Sequence, residues 1–190
     1  MNKDKLALFD LDGTLFDTRW VNYLSYKKSL EEYGFTLDQG YFFSSCNGKH
    51  YKTFLPNILG KQCGEYDLLE NIHERKKEYY SHFLKAAIPN AHLFYFIHCI
   101  RSVYHIVLVT TASRKNTFEI LSYFGKKDLF ELIITGDDVQ EKKPNPEGFH
   151  KAMTYFSCLP QDTVVFEDSL PGFQAAEQAG IQLFKVEGFH

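Results

Sequence analysis

The chain has 190 residues, with 21 Lys and Arg against 24 Asp and Glu, so its formal net charge is −3. That length suits one domain, or one domain with a modest insertion, and neither the total charge nor any local run supplies the basic stripe that displaces counterions from nucleic acid. With 44% hydrophobic and 16% aromatic residues disorder is excluded, while the longest nearly unbroken apolar run, Leu93–Ile100 around His98, falls far short of the ~20 residues of a bilayer span.

The opening MNKDKLALFDLDG places two acids straight after a short apolar run, unlike a secretion signal. Cys46, Cys63, Cys99 and Cys158 lack CxxC spacing in a chain too large to need staples. Four free thiols in a cytoplasmic protein are the expectation.

In chain order, Lys5–Asp10 predicts a strand, and Thr18–Tyr33 a helix with Trp20, Tyr23, Leu24 and Leu30 on one face and Gly34 as its stop. Tyr66–Lys85 predicts a second helix that Pro89 closes, and Asn90–Val103 a third. Ile106–Thr111 is the second strand, followed by a helix over Thr117–Phe124 ending at Gly125, a suitable C′ glycine. Leu132–Thr135, Val164–Glu167 and Gln182–Val186 are further strands, separated by helices at Pro146–Phe156 and Pro171–Ala179. Strands alternating with helix-length segments indicate βαβ units, hence an α/β fold with a mostly parallel sheet. Residues 11–105 exceed what one crossover helix needs, so a small helical subdomain, roughly 16–85, is expected to be inserted after the first strand.

Four of the five strands lead into polar residues, and in an open parallel sheet ligands bind at the carboxyl ends of the strands. Asp10-Leu11-Asp12-Gly13-Thr14 puts two acids one residue apart, which repel unless a cation or proton separates them. Taken alone it reads equally as a hydrated turn, but not as an EF-hand, whose glycine is sixth and glutamate twelfth, whereas Gly13 is fourth and Val21 twelfth. Thr111-Ala112-Ser113-Arg114 combines hydroxyls with a helix start, a phosphate seat or an ordinary cap. Lys143, before Pro144-Asn145-Pro146, is a site cation or a solvated charge. Glu167-Asp168 after an apolar strand faces a cavity or metal, or caps the next helix. Together, Asp10, Asp12, Glu167 and Asp168 form an all-oxygen site for a hard cation, with Mg2+ the expected occupant. Lys143 and the Thr111–Arg114 turn supply positive charge and donors for a phosphoryl group.

These motifs, in this order, resemble those of the haloacid dehalogenase superfamily over almost the whole chain. DLDGT at 10–14 resembles its first motif, Thr111 its second (Thr110 being the alternative register), Lys143 in GDDVQEKKPNP its third, and Glu167-Asp168 in VVFEDSLPGFQAAEQAG its fourth. The resemblance implies a Rossmann-like three-layer core over 1–15 and 86–190, with strand order 5-4-1-2-3, and a class I helical cap over 16–85. It implies that Asp10 is the nucleophile, Asp12 the general acid and base, and that Asp10, the Asp12 carbonyl and Asp168 hold Mg2+, with Glu167 a direct or outer partner. Thr111, Ala112, Ser113, Arg114 and Lys143 are then phosphate contacts. The expected activity is hydrolysis of a small phosphorylated metabolite, with no nucleic-acid or membrane partner and a monomer or weak homodimer as the assembly. Specificity is expected from the inserted segment, at Arg19 and in the polar loop 44–50, where Asn47, Lys49 and His50 are candidates. A sugar phosphomutase is the nearest rival; a phosphonate hydrolase would need an imine-forming lysine such as Lys49; a dehalogenase has no use for Asp12; and a non-catalytic module would have lost motif residues that are all present here.

Overall fold

A computed structural model describes residues 3–61 and 67–189. In chain order they form β1 (Lys5–Phe9), β2 (Phe16–Asp17), α1 (Arg19–Glu32), the single turn α2 (Gln39–Tyr41), a π-helical stretch (Phe42–Cys46), α3 (Tyr51–Leu59), and α4 (Leu68–Tyr80), which runs into a 3-10 segment (Ser81–Ala86). There follow β3 (Ile88–Pro89), α5 (Ala91–Ile100), β4 (Tyr104–Val109), α6 (Arg114–Tyr123), β5 (Leu132–Ile134), α7 (Glu147–Phe156), β6 (Thr163–Glu167), α8 (Leu170–Ala179) and β7 (Gln182–Lys185). The chain divides into two compact units, Met1–Asp17 with Ile88–His190, and Thr18–Ala87.

The first unit is built on a five-stranded parallel sheet in the order β5-β4-β1-β6-β7. Numbering only the strands of this sheet and reading from the β7 edge, that is the expected 5-4-1-2-3; the labels differ because β2 and β3 lie outside it. β1 is central, and Leu6, Ala7, Leu8 and Phe9 are all fully buried, as a strand covered on both faces requires. Alternation sends Leu6 and Leu8 to one face, with Val107, Val109, Val165 and Phe149 in their cluster. The same cluster holds Ala175, Ala176 and Ala179 of α8, small residues that let the helix sit close. Phe9 faces the other way and stacks on Phe166, ring centroids 4.7 Å apart. Chain order reverses at β1, which pairs with β4 on one side and β6 on the other, so its carboxyl end is a topological switch point.

The helical unit has its own core, in which Tyr23, Tyr26 and Leu30 of α1 cluster with Leu37, Phe42, Phe54, Leu55 and Ile72. Lys76 is buried in it, donating to Asn22 Oδ1 at 2.6 Å, with its ammonium over the Tyr26 and Tyr80 rings; the ring faces and the amide oxygen offset its desolvation.

Several expectations shift. The helical unit begins and ends two residues later than the expected 16–85, since Phe16–Asp17 pairs antiparallel with Ile88–Pro89 and ties both crossings to the sheet unit. The expected loop 44–50 begins as helix, because Ser44–Cys46 belong to the π-helical stretch. α3 follows unexpectedly, with Pro56 inside it and Gly60 at its end. α6 starts at Arg114 rather than Thr117. Cys46, Cys99 and Cys158 are free thiols, while Cys63 and Tyr66 lie outside the described residues. No helix among the described residues is long and apolar enough to cross a membrane.

Candidate active site at the carboxyl end of the sheet

Asp10 extends β1 by one residue: its backbone N–H donates to Phe166 O at 3.1 Å, and its side chain is buried. The chain then turns sharply, with Leu15 and Phe16 N–H both donating to Leu11 O and Gly13 N–H donating to Phe16 O. Gly13 has φ +90°, and a Cβ there would lie 2.0 Å from Asp168 Oδ2. Glycine is therefore required twice over, by backbone conformation and by the close approach of a carboxylate.

The side chain of Lys143 is buried beside Asp10, with all three ammonium protons committed. It donates to Asp10 Oδ1 at 2.7 Å, to Glu167 Oε1 at 2.7 Å and to the Val109 carbonyl at 2.9 Å. Three strand ends thus converge on one cation. Glu167, the last residue of β6, is fully buried, and its second oxygen accepts from the Ser169 amide at 2.8 Å and hydroxyl at 2.9 Å. Gly172 leaves the space that this carboxylate fills, since a Cβ there would be 1.9 Å from Glu167 Cδ. Asp168 Oδ1 accepts from the buried Thr14 hydroxyl at 2.9 Å.

Ligand oxygens of Asp10, Glu167 and Asp168 all lie within 4.8 Å of one another. Burial pushes Asp10 well above the usual carboxylate range, with Glu167 and Asp168 adding to the effect and Lys143 opposing it. Burial and Glu167 raise Asp168 to about 6, against the Thr14 hydrogen bond. Burial works against the Lys143 ammonium, but Asp10 and Glu167 outweigh it and raise its pKa. One ammonium among three crowded carboxylates leaves the site short of positive charge. A hard cation would remove the deficit, and the all-oxygen donor set fits one. Asp12, two residues further on and half-buried, stands outside this trio, but is close enough for its charge to raise Asp168.

The loop after β4 forms the other side of the site. Thr110 is buried, and its hydroxyl accepts from Ala112 N–H at 3.1 Å, whereas Thr111 is exposed. Ser113 caps α6, its hydroxyl accepting from Asn116 N–H. The Arg114 amide donates to Asp137 Oδ2 at 2.8 Å, and its guanidinium pairs with Asp138, which the Thr135 amide and hydroxyl also hold. Ser113 is thus engaged as a helix cap, and Arg114 binds the loops after β4 and β5 together. Gly136 permits that approach, since a Cβ there would be 2.4 Å from Thr111 O.

Arg19, Asn47, Lys49 and His50 all belong to the helical unit. Arg19, Lys49 and His50 are exposed and Asn47 is half-buried. His50 caps α3 through Nδ1, which accepts from Lys52 N–H, and its ring lies 4.5 Å from that of Tyr51. Thr14 and Ser169 fall within the first and fourth motifs, but sequence reasoning assigns them no role; their donation to the two acids is visible only once β1 and β6 are paired.

The model of the haloacid dehalogenase-like hydrolase family matches residues 7–186. A phosphorylated carbohydrates phosphatase of Thermotoga maritima is 31% identical over 182 residues, covering 93% of this chain and 82% of that protein. Among solved structures, CbbY from Rhodobacter sphaeroides in complex with phosphate superposes with a TM-score of 0.83 at 26% identity, covering 97% of this chain and 87% of that one. A putative beta-phosphoglucomutase from Thermotoga maritima gives a TM-score of 0.77 at 26% identity, covering 98% and 87%. The chain belongs to the haloacid dehalogenase-like hydrolases, as a phosphatase of that family.

Proposed function

We propose that the protein is a Mg2+-dependent phosphatase that hydrolyses a small phosphomonoester, a sugar or polyol phosphate, through a phosphoaspartate on Asp10. The reading rests above all on Asp10, a carboxylate at the switch point of the sheet, held by Lys143 at 2.7 Å and crowded by Glu167 and Asp168. Asp10, Asp168 and the Asp12 carbonyl would hold the ion, with Glu167 behind them; once bound it would neutralise phosphoryl oxygens and the charge that develops in transfer.

The chain's own groups carry the steps. A carboxylate oxygen of Asp10 attacks phosphorus, the bond from phosphorus to the leaving alcohol breaks, and Asp12 gives that oxygen its proton. Asp12, now ionised, then takes a proton from water, whose oxygen attacks phosphorus; the bond to Asp10 breaks and inorganic phosphate leaves. Lys143 aims Asp10 and keeps positive charge beside it, and because its protons are already committed, its effect on the phosphoryl group is Coulombic. Thr111, exposed at the start of that loop, is the phosphate-facing donor, while Ser113 caps α6 and Arg114 ties the loop to the one after β5. Arg19, Asn47, Lys49 and His50 are the candidates for selecting the alcohol.

The similarity to a phosphatase of phosphorylated carbohydrates favours a sugar phosphate. The test is release of inorganic phosphate from a panel of sugar and polyol phosphates, with Mg2+ and with EDTA. Turnover that EDTA abolishes is expected; turnover indifferent to EDTA, or none on any phosphomonoester, contradicts the reading. The likeness to a putative beta-phosphoglucomutase supports a mutase as the second reading, distinguished by interconversion of sugar phosphate isomers without phosphate release.

A further inference from the structure

We propose that the Thr14 hydroxyl, fixed by Asn90, is the positioning group that presents Asp168 to the divalent cation, so that the first-motif turn sets metal affinity as well as carrying the nucleophile. This rests on the metal-dependent reading above. The two acids of the fourth motif are held differently. Both oxygens of Glu167 are taken, one by Lys143 and the other by the amide and hydroxyl of Ser169. That acid serves to hold Lys143.

Among the described residues, the side-chain donor to Asp168 is Thr14, through Oδ1 at 2.9 Å. A carboxylate held at one oxygen has its plane fixed and its other oxygen directed. Here Oδ2 is directed into the space over Gly13, which only a residue without a side chain leaves open. Thr14 is itself fully buried, and its backbone is anchored from a distant stretch of the chain. Asn90 Nδ2 donates to Thr14 O at 3.2 Å and the Asn90 amide donates to Leu15 O at 2.9 Å. Asn90 Oδ1 meanwhile accepts from Leu93 N–H at 3.1 Å, capping α5. One side chain thus pins the turn to a helix start, and the turn pins Asp168. Outer partners that orient a metal ligand alter metal affinity by about 10–100-fold.

The experiment is Mg2+ binding by calorimetry to the full chain without substrate, with apo melting temperature as the control on folding. Thr14→Val keeps the shape and removes the donor, whereas Thr14→Ser keeps the donor. Thr14→Val is expected to weaken the Mg2+ dissociation constant about 10-fold or more, and Thr14→Ser to stay within about 2-fold of wild type. If Thr14→Val does not fold, Thr14→Ala against Thr14→Ser makes the same comparison. Wild-type affinity in the donor-less variant, or equal weakening in Thr14→Ser, overturns the inference. If wild type binds Mg2+ and releases phosphate while Thr14→Val binds equally well, this inference alone fails. If wild type binds no Mg2+, the metal-dependent reading fails with it.

Discussion

Replacing Lys143 by Met should cost stability in a way that depends on pH. In the native protein the ammonium bridges Asp10 and Glu167, and all three groups are buried. Removing one partner of a buried ion pair typically costs about 3–5 kcal/mol, because an uncompensated charge remains. The molecule has one escape, which is to protonate a carboxyl. An ordinary carboxyl with a pKa near 4 is held neutral at pH 7 for roughly 4 kcal/mol, and at pH 5.5 for roughly 2 kcal/mol. The destabilisation of Lys143→Met should therefore be about 4 kcal/mol at pH 7 and about half that at pH 5.5. Urea unfolding of both proteins in EDTA at the two pH values measures it. A loss under about 1 kcal/mol at pH 7, or the same loss at both values, would refute a buried three-group charge cluster.

Two further predictions concern the core and the helical unit. Gly172→Ala places a methyl 1.9 Å from Glu167 Cδ, on a carboxylate pinned by Lys143 and Ser169. Overpacking of about 1–3 kcal/mol outweighs the ~1 kcal/mol that Gly→Ala gains in a helix, so urea unfolding should show net loss; a more stable variant would sink this. His73 is held down to about 3 by burial, with Lys76, Lys77 and His50 adding to it, and its Nδ1 contacts the Tyr26 hydroxyl at 2.8 Å. The unfolded chain then binds a proton that the folded one refuses, so stability falls as pH drops from about 6.5 toward 3. His73→Gln keeps an acceptor but has no proton to bind, and its melting temperature should fall less steeply over that window; parallel curves would count against the assignment.

The five sheet strands were legible because each is a short, mostly apolar run between helix-length segments, and the acids at Asp10, Glu167 and Asp168 stood where two of those runs end. Other features were not. β2 and β3 are two residues each and exist only as a pair between positions 16–17 and 88–89, a separation over which no local pattern carries information. α3 contains Pro56 and stops at Gly60, and these read as breakers although the apolar face of Phe54, Leu55 and Leu59 is buried against the helical unit's core. Ser113 and Arg114 had the right chemistry for phosphate, yet their partners, the amide of Asn116 and the acids Asp137 and Asp138, give them structural duties. Thr14 and Asp168 stand 154 positions apart in the chain, so their contact follows from sheet register rather than from either motif.

The nucleophile is the centre of the account, and trapping it is the most direct measurement. The protein is mixed with an excess of a hydrolysable phosphomonoester and Mg2+, quenched in acid during turnover, digested and analysed by mass spectrometry. A phosphoryl group on the peptide containing Asp10, absent from Asp10→Asn, is the predicted result. Undiminished turnover by Asp10→Asn, or a phosphoryl group on any other residue, would contradict it.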